Sequence, residues 1–183
     1  ELITNRDHDA VGANGLASEP LSHPSVGNTT FGFALSKRGD MIVSDAFGGA
    51  AGQSALTSYN VGSSGGINLI TGPVGNGQAA ACWVVVTKNG KHAYTTNAAT
   101  GNISSYNVAH DGGLTVNEAI AANTGTGSAP IDMALSNSSQ FLYVLNAGAH
   151  TIGIFRVNNG SGALTPVATV SGIPVGANGL AAK

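Results

Sequence analysis

Three observations on this 183-residue chain predict an all-β fold built from a repeated four-stranded unit. First, one block is written three times, about fifty residues apart. It reads G-F-A-L-S-K-R-G-D-M-I-V-S-D from Gly32, W-V-V-V-T-K-N-G-K-H-A-Y-T-T-N from Trp83 and M-A-L-S-N-S-S-Q-F-L-Y-V-L-N from Met133. Second, the apolar runs are short and separated by Gly, Ser, Thr and Asn, with 27 glycines in all; this is the composition of many strands joined by tight turns. Third, no ten-residue stretch shows helical periodicity with caps.

The elements follow in order within each block. A first strand carries Phe33 and Leu35, then Val84 and Val86, then Met133 and Leu135. A hairpin turn follows at Lys37-Arg38-Gly39-Asp40, Lys88-Asn89-Gly90-Lys91 and Asn137-Ser138-Ser139-Gln140. Gly39 and Gly90 suit the positive φ such turns require, and Ser139 takes their place in the third copy. The second strand spans Met41–Ser44, His92–Thr96 and Phe141–Leu145, and the third ends at Val61, Val108 and Val157. By alternation, Tyr59, Tyr106 and Phe155 share a face with those valines, and Asn60, Asn107 and Arg156 face the other way. A fourth strand opens at Ile67, Leu114 and Leu164 after a Gly-rich turn.

Four antiparallel strands at this period describe a β-propeller blade, which needs a neighbour on each face. The expected division is a tail of a preceding blade at 1–30, blades at 31–80 and 81–129, and a blade with a C-terminal closing segment at 130–183. Gly15-Leu16 stands where Gly66-Ile67 stands one repeat later, so about three and a half blades are expected, half of a seven-bladed ring. The heptapeptide V-G-A-N-G-L-A occurs twice, at Val11–Ala17 and at Val175–Ala181, the second where a new first strand would begin.

Only 9% of residues are charged and the net charge is -2. The seven Lys and Arg are scattered along the chain, so neither a nucleic-acid partner nor a basic membrane patch is expected. The apolar runs are too short for a transmembrane helix. Cys82 is the single cysteine, leaving no internal disulfide and no cysteine metal cluster. Low charge with abundant Ser, Thr, Asn and Gly points to a secreted or extracellular protein.

Tyr94-Thr95-Thr96-Asn97 and Tyr143-Val144-Leu145-Asn146 resemble the Y-V-x-N signature of surface and lactonase-type propellers. With the phrases A-C-W-V-V-V-T-K-N-G-K-H-A-Y-T-T-N and A-P-I-D-M-A-L-S-N-S-S-Q-F-L-Y-V-L-N-A-G, the chain resembles the C-terminal half of the seven-bladed lactonase family. That family includes 6-phosphogluconolactonase-like and carboxymuconate-lactonizing proteins. The resemblance implies lactone hydrolysis or lactonization, without a cofactor. It also implies a P-R-H triplet at the start of each inner strand. Here those places hold Thr30-Phe31-Gly32, Ala81-Cys82-Trp83 and Pro130-Ile131-Asp132. An anionic lactone or phosphate would want the missing cations.

Asp132 is the leading candidate for a general base, or for a ligand's hydroxyl partner; its alternative role is to accept backbone N–H bonds at the strand start. His150, in the loop after Asn146, is the second catalytic candidate, a proton shuttle by residue type. Trp83 is the single tryptophan and a ligand-stacking candidate that would equally plug the ring axis. Cys82 lacks the neighbouring base a nucleophilic thiol needs and reads as a buried thiol. Asp45, Asn97 and Asn146 end the second strands; they either ring one end of the propeller as ligand-binding groups or cap turns. His8, His23, His92 and His110 show no metal spacing. Asp7-His8-Asp9 is an acidic cluster at one terminus, and the Gly- and Ala-rich insertion Phe47–Ser54 is a candidate lid. The alternative to a lactonase is a non-catalytic secreted propeller that binds a partner or assembles. Either way, exposed blade faces would call for another propeller half, as a second copy or a complementary fragment.

Overall fold

A computed structural model describes residues 2–5, 20–63 and 65–183. Strands β1 (Leu2–Asn5) and β2 (Pro20–His23) pair antiparallel as a two-stranded sheet. Three four-stranded antiparallel sheets follow, each in simple up-and-down order. The first contains β3 (Thr30–Leu35), β4 (Met41–Asp45), β5 (Ala55–Val61) and β6 (Ile67–Gly75). The second contains β7 (Ala81–Val86), β8 (His92–Asn97), β9 (Asn102–Val108) and β10 (Leu114–Asn123). The third contains β11 (Pro130–Leu135), β12 (Phe141–Asn146), β13 (Thr151–Val157) and β14 (Leu164–Ser171). The only helical turn among the described residues is a short 3-10 piece at Phe47–Gly49.

Third strands end and fourth strands open at the expected residues. Second strands run one residue further, to Asp45, Asn97 and Asn146. The hairpin turns take positive φ where expected: 90° at Gly39, 71° at Gly90 and 54° at Ser139. Gly15-Leu16, Asp7-His8-Asp9 and the first V-G-A-N-G-L-A lie outside the described residues.

The sheets stack face to face, with inner strand β7 packed between β3 and β11. Ile42 and Leu56 of the first blade meet Val84, Ala93, Tyr106, Val108 and Leu114 of the second. Tyr94 and Ile103, from the second blade's other face, meet Met133, Leu142, Val144, Phe155 and Val157 of the third. Period-two alternation gives each sheet two apolar faces. Each fully buried Ile, Leu or Val contributes on the order of 1.5–3 kcal/mol to holding neighbours together.

The first blade's other face is covered only in part. Met41, Val43 and Tyr59 are buried there, and the Tyr59 hydroxyl accepts the Val26 N–H at 3.0 Å. Yet Phe33 and Leu35 on the same face are 60% and 58% exposed. Phe33 and Leu35 stand where Val84 and Val86 stand in the second blade, pressed against the first.

Candidate functional site

Each inner strand breaks its ladder at its first residues. Thr30 pairs with Asp45, but the next pair is Phe33 with Val43; Ala81 pairs with Asn97, then Val84 with Thr95. Pro130 pairs with Asn146, then Asp132 with Leu145. Each step places one extra residue on the inner strand, a β-bulge, which turns side chains away from the regular pleat. The bulges fall on the triplets singled out in the sequence.

Second-strand hydroxyls hold two of the bulges. The Gly32 N–H donates to Ser44 Oγ at 2.9 Å, and the Trp83 N–H donates to Thr96 Oγ1 at 3.0 Å. Ser44 Oγ also donates to the Cys82 carbonyl at 2.6 Å, tying the first blade to the second. In the third blade Leu145 occupies the hydroxyl's position. There Asp132 Oδ1 accepts the Met133 N–H at 2.6 Å. Gly32 is required by close approach, since a Cβ there would stand 2.9 Å from the Cys82 carbonyl oxygen and 3.3 Å from the Trp83 ring.

The bulges bring Phe31, Cys82, Trp83, Ile131 and Asp132 around one cavity of about 270 Å³ at the mouth of the inner strands, with Asn178 completing the wall. The middle residues of the three triplets are thus apolar where the resemblance implied arginine. The carboxylate of Asp132 is the cavity's one charge among the described residues. Its Oδ2 accepts the Leu180 N–H at 2.8 Å. The second V-G-A-N-G-L-A therefore forms no strand and instead docks on the candidate base. Residues Leu180 to Lys183 continue over Tyr143 and Ile152, bordering a further cavity of about 290 Å³.

Burial raises the pKa of Asp132, opposed by the N–H bonds from Met133 and Leu180. A carboxylate has about four lone-pair sites, so two accepted bonds leave sites for a water or a ligand hydroxyl. Burial pushes the Cys82 thiol up to about 11, and the charge of Asp132 adds to this. Cys82 is therefore a neutral, buried thiol near pH 7.

The other candidates stand elsewhere. His150 lies in the β12–β13 turn at φ 53°, half-buried, and does not line the cavity; its carbonyl accepts the Ile173 N–H at 3.1 Å. Asp45, Asn97 and Asn146 occupy one equivalent position per blade, inside the sheets. Thr57 Oγ1 donates to Asp45 Oδ2 at 2.5 Å. Asn97 Nδ2 donates to Asn102 Oδ1 at 2.8 Å and to Ser104 Oγ at 2.9 Å. Asn146 Nδ2 donates to Thr151 Oγ1 at 3.1 Å. All three tie second strand to third at the cavity's end of the ring, and none reaches the cavity. The Phe47–Ser54 insertion is anchored, with the Gly48 N–H on Thr29 Oγ1 at 3.0 Å and the Ser54 N–H on the Gln78 carbonyl at 3.0 Å.

Residue type in the sequence singles out Cys82, Trp83 and Asp132 in this cavity, but not the apolar Phe31 and Ile131 or the amide of Asn178. The available signal was the Ser44 and Thr96 hydroxyls opposite the triplets, which mark bulged backbone that needs an acceptor.

Residues 46–178 match the family described as "Lactonase, 7-bladed beta-propeller". A putative 6-phosphogluconolactonase from Bacteroides uniformis superposes with a TM-score of 0.70 at 18% identity, covering 92% of this chain and 53% of that one. A functionally unknown protein from Desulfotomaculum acetoxidans gives 0.68 at 16% identity, covering 88% and 47%. The periplasmic gluconolactonase of Pseudomonas aeruginosa gives 0.53 at 16% identity, covering 91% and 64%. The chain thus spans about half the length of the first two structures. No curated protein matches it. Among the described residues, no helix is long and apolar enough to cross a membrane. The match over residues 46–178, carried by three stacked four-stranded blades, establishes that the chain belongs to the lactonase family of seven-bladed β-propellers.

Proposed function

We propose that the cavity at the bulged strand starts binds and hydrolyses an uncharged lactone. The observation that carries this reading is the cavity wall itself: Phe31, Ile131 and Trp83 around a single carboxylate, with no Lys or Arg among the described residues. Such a wall suits a ring with an apolar face and a few hydroxyls, and it penalises a phosphate brought beside Asp132. In the reaction Asp132 takes a proton from water as the water oxygen bonds to the lactone carbonyl carbon. Asn178 supplies an N–H donor for the oxyanion. The ring C–O bond then breaks, and the proton held by Asp132 passes to the departing alkoxide.

Trp83 reports binding directly, being the single tryptophan. Titration with glucono-1,5-lactone is expected to change its emission saturably, while the 6-phosphorylated lactone binds on the order of tenfold more weakly or worse, at about 1.4 kcal/mol per tenfold. Equal or tighter binding of the phosphorylated compound would sink the assignment. A second reading, binding without turnover, is favoured by the two backbone N–H bonds already on Asp132. Saturable quenching with no hydrolysis would select it.

The exposed pair Phe33 and Leu35 takes a further blade, from a second copy or a complementary fragment, because the equivalent residues in the next two blades are covered that way. Native mass measurement is expected to find the chain associated. A stable species with the mass of one chain would contradict this.

A further inference from the structure

The scattered cations of the sequence gather in space. Lys37 and Arg38 lie in the β3–β4 turn, and Lys88 and Lys91 in the β7–β8 turn. These turns sit at the end of the blades opposite the cavity, because every hairpin joining first and second strands emerges there. Lys37, Lys88 and Lys91 are exposed, and the Arg38 side chain is partly covered, its Nη2 donating to the Ala109 carbonyl at 2.7 Å. The two turns touch: a Cβ placed on Gly90 would stand 3.4 Å from Arg38 Nη1 and 3.7 Å from Lys37 Cβ. The third blade's turn adjoins them, the Lys88 N–H donating to Ser139 Oγ at 2.9 Å. Arg156 adds a fifth cation near the end of β13, held over the Phe141 ring at 5.1 Å from its centroid.

Little neutralises this end. Arg38 Nε lies 3.7 Å from Asp40 Oδ2, the one ion pair among the described residues. Asp40 is itself buried and accepts Ser36 Oγ–H at 3.0 Å. Asp111, in the β9–β10 turn, accepts the Gly113 N–H at 3.0 Å. Lys37, Lys88 and Lys91 face water without a carboxylate partner among the described residues.

We infer that the end of the ring carrying Lys37, Arg38, Lys88 and Lys91 is a docking surface for an acidic polysaccharide. Cations spaced over adjacent turns match a chain carrying repeated carboxylates or sulfates. Asn137, Ser138 and Gln140, all exposed in the third turn, offer the hydroxyl and amide groups that sugar hydroxyls pair with. The same end argues against other polyanions. No exposed large apolar side chain stands in these turns to enter a bilayer and no aromatic ring in them offers a base a stacking surface, the exposed Phe33 and Leu35 beside the first turn lying on the blade face and not at its end. The surface is separate from the lactone cavity and does not depend on it.

Isothermal titration of the protein with polygalacturonate tests this. Binding is expected at about 20 mM salt and is lost at about 0.5 M, where screening shortens charge interactions to a few ångströms. The triple exchange Lys37→Ser, Lys88→Ser, Lys91→Ser weakens binding roughly a hundredfold with an unchanged melting temperature. Lys91→Ser alone gives a smaller loss of the same sign, and Asp132→Asn binds as the parent does. Unaltered binding by the triple variant overturns the proposal, as does no binding at low salt. Equal or tighter binding of single-stranded DNA, or of vesicles containing phosphatidylserine, also overturns it by pointing to a different partner.

Discussion

Asp132→Asn is expected to lower lactone hydrolysis by roughly 10²–10⁴-fold, the usual contribution of a positioned general base. The amide has nearly the carboxylate's shape and cannot take a proton from water. Its oxygen can still accept the Met133 N–H, so the bulge that shapes the cavity persists, while the amide NH2 set opposite the Leu180 N–H gives up that second contact. Saturable quenching of Trp83 is therefore expected to survive while turnover disappears. The pH profile of the parent adds a second readout. Burial raises the pKa of Asp132, so the acid limb of kcat/KM is expected above the ordinary carboxylate range. Below that limb the base is protonated and activity falls. Parent-like turnover in the Asn variant would remove Asp132 from the chemistry.

Asp45→Asn is expected to stabilise the fold at neutral pH. Asp45 is fully buried at the end of β4, with Thr57 on one oxygen and no partner for the other among the described residues. Gly27 presses so closely that a Cβ there would stand 2.0 Å from the carboxylate. Burial pushes the pKa up to about 6, with the Thr57 hydrogen bond opposing. The folded state therefore holds this proton more tightly than the unfolded state, whose carboxylate titrates near pH 4. The resulting stabilisation is fully present below pH 4 and is lost as pH rises through about 6. At neutral pH the ionised, half-partnered carboxylate costs on the order of 2 kcal/mol. Asn already occupies the equivalent position at Asn97 and Asn146, donating to the third strand. Thermal melts at pH 7 are expected to rise by roughly 4–8 °C in the variant, at about 2–4 °C per kcal/mol for a chain of this size. The stability loss between pH 4 and 6 is expected to flatten. An unchanged slope there would place the titrating group elsewhere.

The blades were legible because their rules are local. Turn positions at Gly39, Gly90 and Ser139, and alternation around Tyr59, Tyr106 and Phe155, read directly from one strand at a time. The cavity was half legible. Trp83 and Asp132 stood out by residue type, but the bulges that aim them are relations between strands, and a register is invisible until its partner is known. Asp132 also collects an N–H from Leu180, forty-eight residues along the chain, which no spacing rule anticipates. The cations make the same point at larger scale. Lys37 and Lys88 are half a hundred residues apart in sequence, yet the repeat places both turns at one end of the ring.

The most direct measurement is a crystal structure of the Asp132→Asn variant soaked with glucono-1,5-lactone. The account predicts the unopened lactone between Phe31 and Trp83, with its carbonyl oxygen toward Asn178 and residue 132 beside the carbonyl carbon. A lactone bound elsewhere, with the space between Trp83 and residue 132 empty, would contradict it.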